Sequence, residues 1–282
     1  MDDLLAELDE ASIRYVRATW CDLGNQVRAK AVHRGSLKSA RDFVVMIPTG
    51  SQGMAATMDA VLPGSGLSPV GEMQLAPDWS TLCPLPFAPG HARVMSDMTV
   101  DGRPWEYCPR GFVRRMEARA GELGLTVTAG FENEFYLLRE GLLTPADETS
   151  FASVDGMNQN RAVIDELTDM LLAQRMTVLM YHPESGPGQQ EISIRHASPL
   201  TTADQQVALR ETVHAVARRH GMRATFLPKP FLDRVGSGCH LHVGLEGRMS
   251  DPQGRWGLSE VARQFMAGVL EHLGALVAVT AP

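Results

Sequence analysis

Three short runs of this chain combine strand-like alternation with acidic or imidazole side chains, and that combination constrains the fold more than any other feature. They are Gly130 to Phe135 (Gly-Phe-Glu-Asn-Glu-Phe), Glu184 to Glu191 (Glu-Ser-Gly-Pro-Gly-Gln-Gln-Glu) and Gly236 to His242 (Gly-Ser-Gly-Cys-His-Leu-His). Side chains two apart on a strand project the same way. Glu132 therefore joins Glu134, and His240 joins His242, while Phe131, Phe135, Leu241 and Val243 face the other side. Polar faces of this kind can share one pocket. Two carboxylates about 4 Å apart repel by roughly 4 kcal/mol at an effective dielectric of about 20, so four converging acids need a cation. Hard oxygen donors with one imidazole suit Mg²⁺ or Mn²⁺ better than Zn²⁺.

Each run also has a plainer explanation. A Glu-x-Glu pair on a strand is more often a solvated face; here the flanking Phe131 and Phe135, which would bury one side, favour a cleft on the other. Glu184 and Glu191 could equally be exposed acids beside a Gly-Pro-Gly hairpin, with Gln189 a further polar group at the same corner. Strand histidines are commonly half-buried without a ligand. Gly236-Ser237-Gly238 just before His240 shifts the balance, because glycine lets backbone amides approach an anion closely.

Composition narrows the class. The balance of 44% hydrophobic and 21% charged residues is that of a globular protein, long enough for one large or two ordinary domains. The apolar stretch 273–279 is too short to span a bilayer, and the acidic start Met1-Asp2-Asp3-Leu4 lacks the basic region of a signal peptide, so a cytoplasmic, non-membrane protein is expected. Cys21, Cys83, Cys108 and Cys239 include no Cys-x-x-Cys pair, which suggests neither a disulfide framework nor a cysteine zinc site. A net charge of -7 argues against a nucleic-acid partner.

Along the chain, 12–32 reads as a hairpin turning at Asp22-Leu23-Gly24-Asn25, and 92–100 as a strand turning at Asp101-Gly102, ending a small β-rich domain. Pro109 opens a helix with Phe112, Met116, Ala120 and Leu123 at helical spacing, closed by Gly124. Residues 139–160 read as a loop. A second helix carries Val163, Leu167 and Met170 or Leu171; strands follow at 178–181 and 190–195. A third helix, capped near Thr201 or Thr202, carries Leu209, Val213 and Val216 inward and stops at Gly221, before a strand at 224–227.

The three runs, taken together with Phe226-Leu227-Pro228-Lys229-Pro230, resemble the glutamine synthetase family, and the likeness spans most of the chain. The resemblance implies an α+β fold: a small N-terminal β-grasp domain over 1–103, then over 104–282 a glutamine synthetase-type catalytic domain, an antiparallel sheet with flanking helices, incomplete at its C-terminal end. It implies that Glu134, Glu184 and Glu191 hold a first metal ion, that Glu132 and His240 hold a second, that His242 contacts the transferring phosphate and that Gly236 lies against the glutamate substrate. The reaction implied is ATP-dependent ligation of ammonia or a small primary amine to the γ-carboxyl of L-glutamate through a γ-glutamyl phosphate, with Mg²⁺ or Mn²⁺, in a homo-oligomeric ring with active sites between neighbouring subunits.

Four departures qualify the carry-over. Val235 and Thr49 stand where the ammonia enzymes of the family carry asparagine and aspartate, and Gly244 where a serine often lines the nucleotide pocket. The short glycine corner and Leu200 to Asp204 look more like the amine-ligating branches. The family also continues beyond Pro282 into a segment that supplies the last ligand of the second metal, the anion-binding arginines and a flap glutamate, so the 282-residue chain alone is expected to have little or no ligase activity. Two alternatives stay open at this point: a non-catalytic relative that binds metal or nucleotide, and a dinuclear metallohydrolase, in which the same ligands would activate water.

Overall fold

The structure, a computed structural model, describes residues 2–55, 60–139, 141 and 143–280. Helix α1 (Asp2–Glu10) leads into a hairpin of β1 (Tyr15–Cys21) and β2 (Val27–His33), with Asn25 in the left-handed region at its turn. Strands β3 (Val45–Pro48), β4 (Glu72–Pro77), β5 (Cys83–Pro84), β6 (His91–Val100) and β7 (Arg103–Pro104) complete a seven-stranded sheet. Its order is β2-β1-β6-β4-β3, with β5 and β7 also paired to β6, and β1 runs parallel to β6. Val16, Ala18 and Trp20 alternate inward on β1 and meet Val94, Met98, Leu75 and Leu8, the last supplied by α1. The sequence reading treats the start of the chain only as acidic. Leu4, Leu5 and Leu8 nevertheless give α1 an apolar side that packs on this cluster, which is what fixes the helix.

The rest of the chain builds a second sheet. Helix α2 (Pro109–Glu122) begins at the expected proline, with Cys108 Sγ accepting from the Gly111 amide, and Gly124 follows at φ 67°. Its spaced apolar residues Phe112, Met116 and Leu123 are exposed, however, and the buried residue is Arg110. After it come β8 (Val127–Arg139), α3 (Val154–Ala173), β9 (Val178–Pro183), β10 (Gln189–Ile194), α4 (Pro199–Arg219), β11 (Met222–Thr225), β12 (Cys239–Leu245), α5 (Glu260–Glu271) and α6 (Leu273–Thr280). The antiparallel order is β11-β8-β10-β9, and β12 pairs with β8 along its first half. Phe135, Leu137, Ile192 and Ile194 pack on Val163, Leu167 and Leu171 of α3 and Leu209, Val213 and Val216 of α4.

Several sequence expectations change. The loop read at 139–160 ends in helix, since α3 starts at Val154 under a Ser153 cap; Glu140 and Leu142 of that stretch lie outside the described residues, as do Ala281 and Pro282. Helix α4 is capped by Ser198 with Pro199 in its first turn, and Thr202 instead donates to the Ala129 carbonyl at 2.8 Å, tying α4 to β8. Leu241 and Val243 face the side opposite His240 and His242 but are 53% and 38% exposed, because β12 is an edge strand of the described residues and lies outside the α3–α4 cover.

Buried charge joins the two sheets. Arg110 contacts Asp97 of β6 at 2.7 Å, Asp204 of α4 at 2.7 Å and Asp78 at 3.0 Å, while Arg114 also engages Asp78 and Asp97. Arg17 and Arg93 share Glu211 of α4 at 3.2 and 3.0 Å. No described helix is long and apolar enough to cross a membrane.

Candidate functional site

Pairing register brings the three polar runs together. Glu134 on β8 lies directly across from Glu191 on β10, and His182 on β9 lies across from Glu191 on the other side. One row along, Glu132 faces Ser193 on β10 and His240 on β12. All of these side chains project from the face opposite α3 and α4, because the alternate residues Phe135 and Ile192 are buried among those helices.

Two clusters occupy that face. In the first, His182 Nε2 lies 2.9 Å from Glu184 Oε1, and His182, Glu184 and Glu191 offer ligand atoms all within 4.8 Å of one another. Glu191 is 7% exposed. Burial, and then the neighbouring carboxylates of Glu132, Glu184 and Glu134, push its carboxyl above the ordinary range against the pull of His182. In the second cluster the Glu132 carboxylate lies 3.1 Å from His242 Nε2 and 3.2 Å from His240 Nδ1. Those contacts, His242 first, hold Glu132 below its ordinary range.

Glu134 connects this face to the glycine segments. Its Oε2 accepts from Gln189 Nε2 at 2.9 Å, and Gly238 approaches so closely that a Cβ there would fall 2.7 Å from Glu134 Oε1. Gln189, 1% exposed, also donates to the Gly236 carbonyl at 2.9 Å and accepts from the Gly186 amide at 2.9 Å. Beneath it, Tyr136 Oη donates to the Val235 carbonyl at 2.8 Å, and a Cβ on Gly186 would lie 2.0 Å from that oxygen. Gly236 itself has no room for a side chain, its Cβ position falling 2.6 Å from the Pro228 carbonyl. The glycine corner, the Gly236 loop and Glu134 are thus held by one amide and one phenol.

Glu132, Glu134, Glu184, Glu191, His240 and His242 all share this face, and Gly236 lies on its rim through Gln189. The sequence reading passes over His182 and Tyr136 and gives Gln189 only a general polar presence. His182 carried a usable signal, since it stands two residues before Glu184, the same spacing that links Glu132 to Glu134. Tyr136 and Gln189 carried none, because their roles depend on a loop separated from them by 47 or more residues. Gln189→Leu is expected to lower stability by about 1–3 kcal/mol, since it leaves buried partners unpaired. Hydrogen exchange should show the added opening concentrated at 186–189 and 235–238. Uniform loss of protection across the second sheet would contradict this local role.

The donor set fits a hard divalent cation: carboxylate oxygens predominate, imidazoles complete it, and Glu191 sits buried among like charges. Comparisons with known proteins agree with the fold around this face. The family model described as the glutamine synthetase catalytic domain matches residues 106–282. A glutamine synthetase from Rhizobium leguminosarum bv. phaseoli is 31% identical over 99% of this chain and 65% of its own length, and one from Thermus thermophilus is 32% identical over 99% and 64%. Among solved structures, one described as apo GmaS without ligand superposes with a TM-score of 0.84 at 28% identity, covering 99% of this chain and 66% of its own. Another, a novel glutamine synthase homolog, gives 0.86 at 28% identity over 94% and 64%. This chain spans about two-thirds of such relatives, and it belongs to the glutamine synthetase family.

Proposed function

We propose that the whole protein joins ammonia or a small primary amine to the γ-carboxyl of L-glutamate at the expense of ATP, by way of a γ-glutamyl phosphate. The observation that carries this reading is that strand pairing sets Glu132, Glu134, Glu191 and His240 on one sheet face, with Glu184, just past the end of β9, within ligand distance of Glu191. Glu134, Glu184 and Glu191 would hold one Mg²⁺ or Mn²⁺ ion, with His182 alongside them, and Glu132 and His240 would share in a second. When bound, such ions neutralise the charge on nucleotide phosphates during transfer. His242, aligned with Glu132, would donate toward the transferring phosphoryl group. The Gly236 backbone, held by Gln189 and free of side-chain bulk, would line the glutamate site. The proposal includes the division into 1–103 and 104–282, supported by two separate apolar clusters, together with a homo-oligomeric assembly in the cytoplasm. An assay of ADP release by the whole protein with ATP, glutamate and amine tests the reading. Phosphatase or amidase turnover without ATP would replace it with the hydrolase alternative.

The acceptor follows from polarity. An ammonium ion gains from a nearby carboxylate, whereas an alkylamine needs apolar room. Val235 offers a half-open aliphatic surface beside Gly236, and the Thr49 hydroxyl is already engaged with the Ser68 carbonyl at 3.2 Å. The whole protein is therefore expected to prefer methylamine, ethanolamine or putrescine to ammonia in kcat/KM, the quantity that reports differential transition-state binding. A roughly tenfold or greater preference for ammonia would overturn the amine assignment and leave the ligase reading intact.

A further inference from the structure

A cavity of about 230 Å³ lies where β5 and β6 of the first sheet meet the end of α3 and the start of α4. No residue of the acidic face lines it. Its floor is buried and includes Leu82, Cys83, Arg93, Met95 and Met176. The side open to solvent is lined by Arg175 and Thr201, both exposed, and by the half-buried Gln205. Thr201 Oγ1 accepts from Ser198 Oγ at 3.1 Å, which leaves its own proton to give. Neither the Gln205 amide nor the Arg175 guanidinium has a hydrogen-bond partner among the described residues, so three donors face the opening unspent.

Arg175 holds this place at a conformational cost. Helices α2, α3 and α4 end alike, each followed by a left-handed residue whose amide donates back to the last turn: Gly124 to the Gly121 carbonyl, Gly221 to Arg218 and Arg175 to Leu172. Glycine adopts that conformation freely, and a residue with a Cβ does so under strain. Only at α3, with φ 63°, does the strained residue stand, and its side chain lines a cavity. Retained strain of this kind points to function. Charge points the same way. On the floor, Arg93 and its neighbour Arg17 share the single carboxylate of Glu211, while Arg110 and Arg114 face Asp78, Asp97 and Asp204; Arg175 has no acidic partner among the described residues. These groups together carry one positive charge in excess. Burial raises the Cys83 thiol and Arg93 and then Arg175 draw it down, so both guanidiniums act on the same floor residue. We propose that this cavity binds a short-chain monocarboxylate, its carboxylate against Arg175, Thr201 and Gln205 and its hydrocarbon body on Leu82, Met95 and Met176. A dianion would exceed the available charge and meet Asp204 on the same lining. The volume lies below the roughly 300–1,000 Å³ of sites for drug-sized molecules, which limits the body to a short chain. The inference does not depend on the ligase reading.

Butyrate and butyramide are nearly isosteric and differ in charge. NMR titration of the unmodified chain, in EDTA so that no metal ion on the acidic face can hold a carboxylate, should show saturable butyrate binding about tenfold tighter than butyramide, the margin of a charge-assisted over a neutral hydrogen bond. Arg175→Gly should cancel that preference. Because glycine suits the left-handed position, the variant's Tm should not fall, and lost binding is then not lost fold. Glu134→Ala should bind butyrate as the unmodified chain does, which separates this site from the acidic face. Absence of saturable butyrate binding, an unchanged preference in Arg175→Gly, or loss of butyrate binding in Glu134→Ala would each overturn the site. Displacement of butyrate at pH 8 by a lower concentration of inorganic phosphate would overturn the monocarboxylate assignment.

Discussion

Glu134→Ala is expected to abolish most of the thermal stabilisation that Mn²⁺ gives this chain. An ion bound only by the folded state at a hundred times its Kd adds about 2.7 kcal/mol. For a chain of this size that corresponds to a rise in Tm of roughly 4–5 °C. Glu134 lies across the ladder from Glu191, whose carboxyl is already pushed up by burial and by its acidic neighbours, so a bound cation would relieve repulsion among these carboxylates. Differential scanning calorimetry with and without Mn²⁺, on wild type and variant, measures the effect. An unchanged metal-dependent shift in the variant would remove Glu134 from the first site. His182→Ala is the informative companion: if it abolishes the shift while Glu134→Ala does not, the ion belongs to His182, Glu184 and Glu191 alone.

Arg110→Met is expected to cause the largest loss of stability of any single change considered, about 3–5 kcal/mol, because it leaves the largely buried Asp204 without its partner and Asp78 and Asp97 with Arg114 alone. Arg110 is 8% exposed and answers Asp78, Asp97 and Asp204 at once. Burial pulls its guanidinium down, and Asp204 and then Asp97 and Asp78 outweigh that and hold it above its ordinary range. The pH dependence follows. Burial raises the Asp78 carboxyl, but hydrogen bonds from Ser80 and Arg110 prevail and bring it from 3.8 to about 2. Its stabilising contribution is complete above 3.8 and is lost as pH falls through about 2. Asp204 acts in the opposite sense, its carboxyl raised chiefly by burial. Without Arg110 the unpaired Asp204, and to a lesser degree Asp78 and Asp97, would take up protons more readily in the folded state, so the gap between wild type and variant should narrow from pH 7 toward pH 3. Urea unfolding across that range checks both points. A gap independent of pH would mean that the loss comes from packing and not from charge.

Much of the candidate site was legible because strand alternation is a local property. Glu132 with Glu134 and His240 with His242 share a face whatever the rest of the chain does, and the glycines beside them mark close backbone approach. The helices that cover the other face were legible for the same reason: Leu167 and Leu171, or Leu209, Val213 and Val216, keep helical spacing and are buried where that spacing puts them. The stripe Phe112, Met116 and Leu123 has equally good spacing and is exposed. Periodicity states which residues share a side of a helix, and it does not state what that side meets. On α2 the inward side is chosen by Arg110, whose three partners come from 13, 32 and 94 residues away.

By itself, then, the sequence determined the α+β class, most of the elements, the two-residue rhythm of the acidic strands and the family to which the chain belongs. Tertiary structure alone decided the register that sets Glu134 against Glu191 and Glu132 against His240, the entry of His182 into the acidic cluster, and the grip of Gln189 and Tyr136 on the Gly236 loop. The Arg110 network is also a product of assembly. The physical reason is the range of the forces involved: side-chain direction and capping follow from neighbours a few residues apart, whereas register, desolvation and ion pairing depend on which distant segment arrives opposite, and one sequence read along its length does not contain that distance.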